Sequence, residues 1–347
     1  MKKKILIVVI SLVAIIGVFL AVLTIVEYNP EDIETITTIG NANNEVVEID
    51  EEYSITSFNI GYGGLGKTED FFMDGGEDVR PDNKEMVENN IANIKDKIIE
   101  LDSDFVIIQE VDEDSKRSYN INEIDELLLD DMEGSFAYNY KAMYVPFPFP
   151  TIGKVNSGIL TMGKYQMESS ERVSLPNPFS WPIRTVNLKR AIQITRYAIE
   201  DNENEFVLIN FHLEAFDSGE GKTEQTKLLS EIILKEYEKG NFVIAGGDWN
   251  QTLIKDLELD PDLLTEWTPG TLDWNDLPDW EIGVDKNVPS NRSMLMPYVG
   301  NEETLAMFFI DGFIVSPNIE IVETKVQEMD YEYSDHEPVK MEFKLVE

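Results

Sequence analysis

Phe242-Val243-Ile244-Ala245-Gly246-Gly247-Asp248-Trp249-Asn250 reads as an apolar strand that runs into two glycines and ends on a carboxylate and an amide. The same kind of ending recurs along the chain. Residues 53–60 (YSITSFNI) alternate apolar and polar side chains and deliver Asn59, and 104–110 (DFVIIQE) form a buried-looking strand that delivers Glu110. Residues 206–211 lead to His212, a strand near 308–315 carries Asp311, and Asp335-His336 stand just before a last alternating strand at 339–345. Further strands read at 136–145, 157–162, 186–199 and 320–326.

Helical spacing appears between them. In 82–101 the residues Val87, Ile91, Ile94, Ile98 and Leu101 make one apolar stripe, 121–129 is a short helix, and 223–237 turns Leu228, Leu229, Ile232 and Ile233 inward. Strands outnumber helices, and two strands separated by a helix recur twice. That pattern favours an α/β or α+β fold in which mixed sheets pack face to face with helices outside. No Pro-, Gly- or Ser-rich linker interrupts the chain after Glu52, so 53–347 reads as one domain. Residues 261–298 are irregular, rich in Pro and Trp, and too long to be an idle connection.

Charge narrows the partners. The 67 acidic residues against 28 Lys and Arg give a net charge of −39, a field that repels polyanions and disfavours unaided nucleic-acid binding. The absence of cysteine excludes disulfides and thiol catalysis, and no Cys/His cluster is present to build a zinc site. Lys2, Lys3 and Lys4 precede an uncharged apolar run over 5–26, long enough at helical rise to cross the hydrocarbon core of a bilayer. The positive flank stays inside, so the remainder faces out. Residues 1–26 therefore read as a signal anchor of a single-pass cell-membrane protein; a cleaved signal, which would make the protein secreted, is the second reading and a buried core helix a distant third. Residues 27–52, acidic and rich in Asn and Thr, read as a linker.

Each strand-end residue has an ordinary explanation: Asn59 and Asn250 as turn formers, Glu110 as a solvated strand end, Asp248 as a turn carboxylate, Asp311 as part of an Asp-Gly turn. Jointly they place acids, amides and both histidines where neighbouring strand ends converge. Asn59 in SFNI, Gln109-Glu110 in FVIIQEV, Asn156-Ser157-Gly158 in VNSGILTM, His212 in INFHLEAF, Asp248 and Asn250 in AGGDWN, Asp311 in FIDGFIVS and Ser334-Asp335-His336 resemble, in order, the motifs of the endonuclease/exonuclease/phosphatase superfamily, the deoxyribonuclease I-like fold. The resemblance spans Tyr53 to the C-terminus. It implies a four-layer α/β/β/α sandwich of two packed mixed sheets with outer helices, and hydrolysis of a phosphoester with Mg²⁺ or Mn²⁺.

The resemblance also implies roles. Glu110, helped by Asn59 and Asp335, would hold the cation, which as a hard ion takes oxygen ligands. Asp248 would orient and deprotonate the attacking water, and Asn250 would hydrogen-bond the phosphoryl oxygen or the nucleophile. His336, as electrostatic donor or as base, and His212 would assist at the phosphoryl oxygens or leaving group, Asp311 would accept from the other ring nitrogen of His336, and Asn156 would be an additional phosphate contact. Shared catalytic residues do not name the substrate: nucleic acid, nucleotide and phospholipid headgroup all remain. Lys141, Lys154, Arg184, Lys189, Arg190 and Arg292 are the candidates for a phosphodiester track. Phe147, Phe149, Phe179 and Trp181 in Pro-stiffened loops, with Trp267, Trp274 and Trp280, are either an apolar rim for a lipid or base or plain loop packing. A general phosphodiesterase or nuclease is the first reading, a phospholipid-directed esterase the second, and a noncatalytic surface module of the same fold the third. No protein partner is inferred.

Overall fold

Apolar alternation sorts most of the chain into two seven-stranded mixed sheets. The structure, a computed structural model, describes residues 1–42, 45–216, 219–257, 259–260, 263, 267–300 and 304–346. Its long strands are β1 Glu52–Asn59, β2 Phe105–Asp112, β3 Glu133–Val145, β4 Gly153–Gly163, β5 Met167–Ser174, β6 Ala191–Ala198, β7 Glu205–His212, β8 Phe242–Asp248, β9 Asp311–Val315, β10 Ile319–Val326 and β11 Val339–Leu345. Helices are α1 Lys2–Ile25, α2 Lys84–Leu101, α3 Glu123–Leu127 and α4 Glu220–Glu238. One sheet runs β10-β11-β1-β2-β4-β3 with Ile39–Gly40 on its edge; the other runs β5-β6-β7-β8-β9, edged by Ile33–Thr35 and Glu281–Gly283. The pairs β1·β2 and β7·β8 are parallel, each joined through a long helix, α2 and α4.

Period-two alternation gives each strand two faces, and both are used. Ile55, Phe105, Ile107, Phe206, Leu208, Ile244, Phe313, Met341 and Phe343 interlock between the sheets. On the outer face of one sheet Val106 and Ile108 meet Val87, Ile91, Ile94 and Ile98 of α2; on the other, Val207, Ile209 and Val243 meet Leu229 and Ile233 of α4. The run Phe105–Ile108 is apolar throughout because helix covers one side and sheet the other. Asn83 starts α2 by accepting from the Met86 amide at 2.9 Å, satisfying a donor the helix leaves free. The result is the four-layer arrangement expected from the motifs, and the two strand-helix-strand units carry the site.

Three expectations change. The strand anticipated at 186–199 begins only at Ala191, because Ile183–Val186 turn as a 3₁₀ helix and the Lys189 amide is drawn to the Asn139 carbonyl at 2.7 Å. The strand anticipated at 308–315 splits: Met307–Phe308 pair with Asn291–Arg292, whereas β9 pairs with β8. The acidic stretch 27–52 lies along the domain, with Ile33–Thr35 bonded to β5, Ile39–Gly40 to β3, and Val47 fully buried. Within the irregular stretch the described residues form short pairs only, while 261, 262 and 264–266 lie outside them.

Candidate active site

β7, β8 and β9 end level. Asp248 stands opposite His212 on one side and Asp311 on the other, so three chemically active side chains share one rung of the sheet. Gly247 makes this possible: its φ is +144°, and a Cβ there would lie 2.0 Å from the Phe211 carbonyl oxygen. On the facing sheet Asn59 pairs with Gln109. Glu110 follows with φ 57° where the β2·β4 register shifts between Ile108 and Val111, and such a bulge re-aims a side chain. The loop before β11 is pinned by Ser334 Oγ donating to the Asn59 carbonyl at 2.9 Å and the Arg292 amide donating to the Asp335 carbonyl at 3.0 Å.

Asn59 is the hub. Its Nδ2 donates to Asp248 Oδ2 at 2.9 Å and Glu110 Oε1 at 3.3 Å and lies 3.4 Å from His336 Nε2, while its Oδ1 accepts from the Gly61 amide at 3.0 Å. His336 Nδ1 bonds Asp311 Oδ2 at 2.8 Å, and that oxygen also accepts from Ser290 Oγ at 2.7 Å. His336 Nε2 faces Asp248 Oδ2 at 3.7 Å and Asp335 Oδ2 at 3.9 Å, and His212 Nε2 lies 3.3 Å from the same Asp248 oxygen. Asp248 Oδ1 accepts from the Asn250 amide at 2.9 Å, and Asn250 Nδ2 donates to the Leu213 carbonyl at 3.0 Å.

Environment splits the two histidines. Burial opposes charge on His336, yet Asp311, Asp335 and Asp248 outweigh it and hold the imidazole well above its ordinary range. Burial, reinforced by Arg190 and by His336 itself, pushes His212 well below it. Burial also raises Asp248, which makes a stronger base of its ionised form, and raises Asp335.

The donor set suits a hard cation. Glu110 and Asp335 both line the cavity at the site, and Asn59, whose oxygen accepts from the Gly61 amide, turns Nδ2 toward Glu110 and Asp248 behind them. Among the described residues Asp248, Asp311 and His336 also offer ligand atoms within 4.8 Å of one another. There, however, Nδ1 of His336 and Oδ2 of Asp311 are already committed to each other, which leaves Glu110 and Asp335 as the better pair.

Eight of the nine residues singled out from the motifs therefore meet around one point; Asn156 does not join them. Its neighbour Ser157 lines the cavity instead, and the Asn156 amide is held by Ser115 Oγ at 2.9 Å. Three residues escaped the sequence reading of the site, Arg117, Asn139 and Glu214, and a fourth, Arg190, figured there only as a candidate for a phosphodiester track. Arg117 stacks on Tyr62 at 3.7 Å, grips Asp112 at 3.1 and 3.0 Å, and reaches Glu110 at 4.0 Å. Arg190, Glu214 and Asn139 are buried in the cavity wall; among the described residues Arg190 Nε and Nη1, Asn139 Nδ2 and Glu214 Oε2 meet no hydrogen-bond partner, although Arg190 lies 3.8 Å from Glu214. Unmatched donors in a wall are what an incoming oxyanion would satisfy.

The other basic candidates do not form a track. Arg292 is buried and donates to the Gly66 carbonyl at 2.8 Å, Lys154 pairs with Asp114, and Lys189 and Arg184 hold Glu27 at 2.8 and 3.6 Å. Lys141 sits over Tyr138 at 4.0 Å. Trp274 and Trp280 pack beneath α4 and serve loop packing, whereas Trp267 packs on Phe308 and also lines the cavity.

No protein-family model matches the chain, and no curated protein matches its sequence. By structure it is similar to an endonuclease/exonuclease/phosphatase from Beutenbergia cavernae, with a TM-score of 0.60 and 17% identity over 85% of this chain and 72% of that one. It is also similar to an endonuclease/exonuclease/phosphatase from Bacteroides vulgatus (TM-score 0.53, 14% identity, 85% and 100% covered) and to the human nocturnin catalytic domain with bound sulfate (TM-score 0.51, 13% identity, 90% and 97% covered). The fold is that of the endonuclease/exonuclease/phosphatase superfamily.

Proposed function

We propose that the protein is a divalent-metal-dependent phosphoester hydrolase held on the outer face of a membrane. One observation carries the reading: a carboxylate, Asp248, stands between a charged histidine and a neutral one, at the rim of an oxygen-rich corner made by Glu110 and Asp335. The solved nocturnin domain holds a sulfate, a tetrahedral oxyanion of the same shape as phosphate, on the same fold. A hard divalent cation such as Mg²⁺ or Mn²⁺, held by Glu110, Asp335 and Asn59, would supply Lewis-acid polarisation of the phosphoryl group.

The chain's own groups supply the rest. Asp248, facing the open cavity, accepts the proton of the attacking water. His336, kept charged by Asp311 behind Nδ1, presents Nε2–H to the oxygens on which charge builds, and Arg190 offers its unmatched donors nearby. His212 remains neutral, able to hydrogen-bond without adding charge. Asn250 orients Asp248 through its backbone amide, and Asn156 is proposed only as a residue that shapes the neighbouring wall.

The membrane placement rests on α1, long and apolar enough to cross a bilayer and with none of its apolar window buried, as a core helix would be. Chelator-stripped protein should hydrolyse bis(4-nitrophenyl) phosphate only after Mg²⁺ or Mn²⁺ is restored. Turnover that is indifferent to the chelator, or absent with every divalent ion, refutes the proposal.

A further inference from the structure

The cavity at the site measures about 530 Å³ and is far more apolar than a phosphate requires. Beyond the polar corner its walls include Leu65, Phe71, Phe72, Val145, Phe216 and Trp267. Its lining also includes Phe147 and Ile183, which are 69% and 57% exposed, and close to them in the chain stand Phe149 at 85% and Trp181 at 52%. So many large apolar side chains turned outward beside a catalytic cleft mark a contact surface.

α1 ends at the same place. Trp181 Nε1 donates to Thr24 Oγ1 at 3.0 Å, and Phe19 meets Tyr144 edge-on with ring centroids 6.5 Å apart. Glu27, just past the helix, is fixed by Lys189 at 2.8 Å and Arg184 at 3.6 Å. Phe19 lies about 9 Å down the helix axis from Ile25. The end of β3 bearing Tyr144, with the loop of Phe147 and Phe149 that follows it, therefore reaches back alongside the helix, toward whatever the helix enters. If α1 crosses a bilayer, this lip sits at the depth of its interface, where aromatic side chains are favoured.

We propose that the cleft takes its phosphoester from that bilayer: the substrate is a lipid whose phosphoester lies at the membrane surface, with the lip seated in the interface and the apolar cavity holding the part of the lipid next to phosphorus. This rests on the phosphoester-hydrolase reading above. The charge of −39 and the paired lysines and arginines around the opening disfavour a nucleic-acid strand, which needs a row of free cations. A lipid needs donors for a single phosphate, which Arg190 and His336 offer. In the reaction a water oxygen bonds to phosphorus, one P–O ester bond breaks, and the proton taken from the water ends on the leaving oxygen. No other reactant enters.

The test uses the full chain reconstituted into vesicles of phosphatidylcholine, phosphatidylglycerol and sphingomyelin with Mg²⁺, followed by ³¹P NMR of the lipids. Bis(4-nitrophenyl) phosphate and a single-stranded oligonucleotide are assayed on the same preparation. Vesicle lipid should be consumed about tenfold or more faster than the oligonucleotide, and a Phe149→Ser/Trp181→Ser variant should lower the ratio of lipid to soluble-diester turnover by about tenfold or more. Turnover of the diester or oligonucleotide with vesicle lipid intact overturns the lipid assignment and leaves the hydrolase reading standing. Lipid turnover with an unchanged ratio in the variant overturns the lip. Inactivity toward all three overturns both.

Discussion

The two walls of the cleft carry the same side chain in opposite states. His336, from the loop before β11, and His212, at the end of β7, are each 5% exposed, so burial alone would drive both to neutrality. What separates them is the second layer. Behind His336 stand Asp311 and Asp335; beside His212 stands Arg190. Under the proposed function, one wall would donate to a developing negative charge, and the other would hydrogen-bond without competing with Asp248 for a proton. A site of this kind is written less in its histidines than in the charges placed around them.

Replacing His336 by Ala strikes the charged wall and should bring the largest loss. Removing a donor that contributes about 3–4 kcal/mol slows soluble-diester hydrolysis by a few hundredfold, measurable as kcat on protein whose circular dichroism matches wild type. Wild-type-like turnover would break the assignment of that wall.

Asp311→Asn keeps the shape behind His336 and removes the charge that sustains its proton. The expected loss is smaller, about ten- to a hundredfold, and it carries a signature: the alkaline limb of the pH–rate profile moves to lower pH, because His336 gives up its proton earlier. A uniform loss across pH would mean that Asp311 acts through packing only.

Away from the cleft, charge serves stability instead. Glu236 is held at about 2 although burial opposes it, because Arg196 bonds it at 2.9 and 2.8 Å with help from Lys239 and Asn241. A depressed carboxylate stabilises above its unfolded value of about 4.5 and loses that contribution as pH falls through about 2. Lys239 opens the cluster to solvent, so the discounted contribution is on the order of 1–2 kcal/mol. Glu236→Gln should lower Tm by a few degrees at pH 7, shift it little near pH 2, and leave hydrolysis unchanged.

The strand ends were legible in the sequence because a short continuous apolar run that stops on Asp248, Glu110 or His212 is a local signal. Their convergence was not: the common rung of His212, Asp248 and Asp311 is a matter of register between strands distant in sequence. The roles came with the motif resemblance rather than from spacing. Arg117, Asn139 and Glu214 went unnoticed because they sit in loops and within strands, where no ending marks them, and Arg190 reads as a surface cation until β6 is seen to begin only after it. The edge strand at Ile33–Thr35 was hidden because an edge buries little and so shows a weak apolar pattern. Asn156 illustrates a limit of motif order, since the strand's alternation brings Ser157 to the cavity in its place.

The most direct test of the contrast is a pH titration of imidazole signals by NMR on metal-free protein, assigned with His212→Gln and His336→Gln; the chain holds only these two histidines. His336 should stay protonated well above the usual imidazole range, and its contribution to stability should be present below the unfolded value of about 6.5 and lost as pH rises through its raised value. His212 should stay neutral well below that range, with the opposite dependence. Two signals titrating together near 6.5, or in the reverse order, would contradict the account.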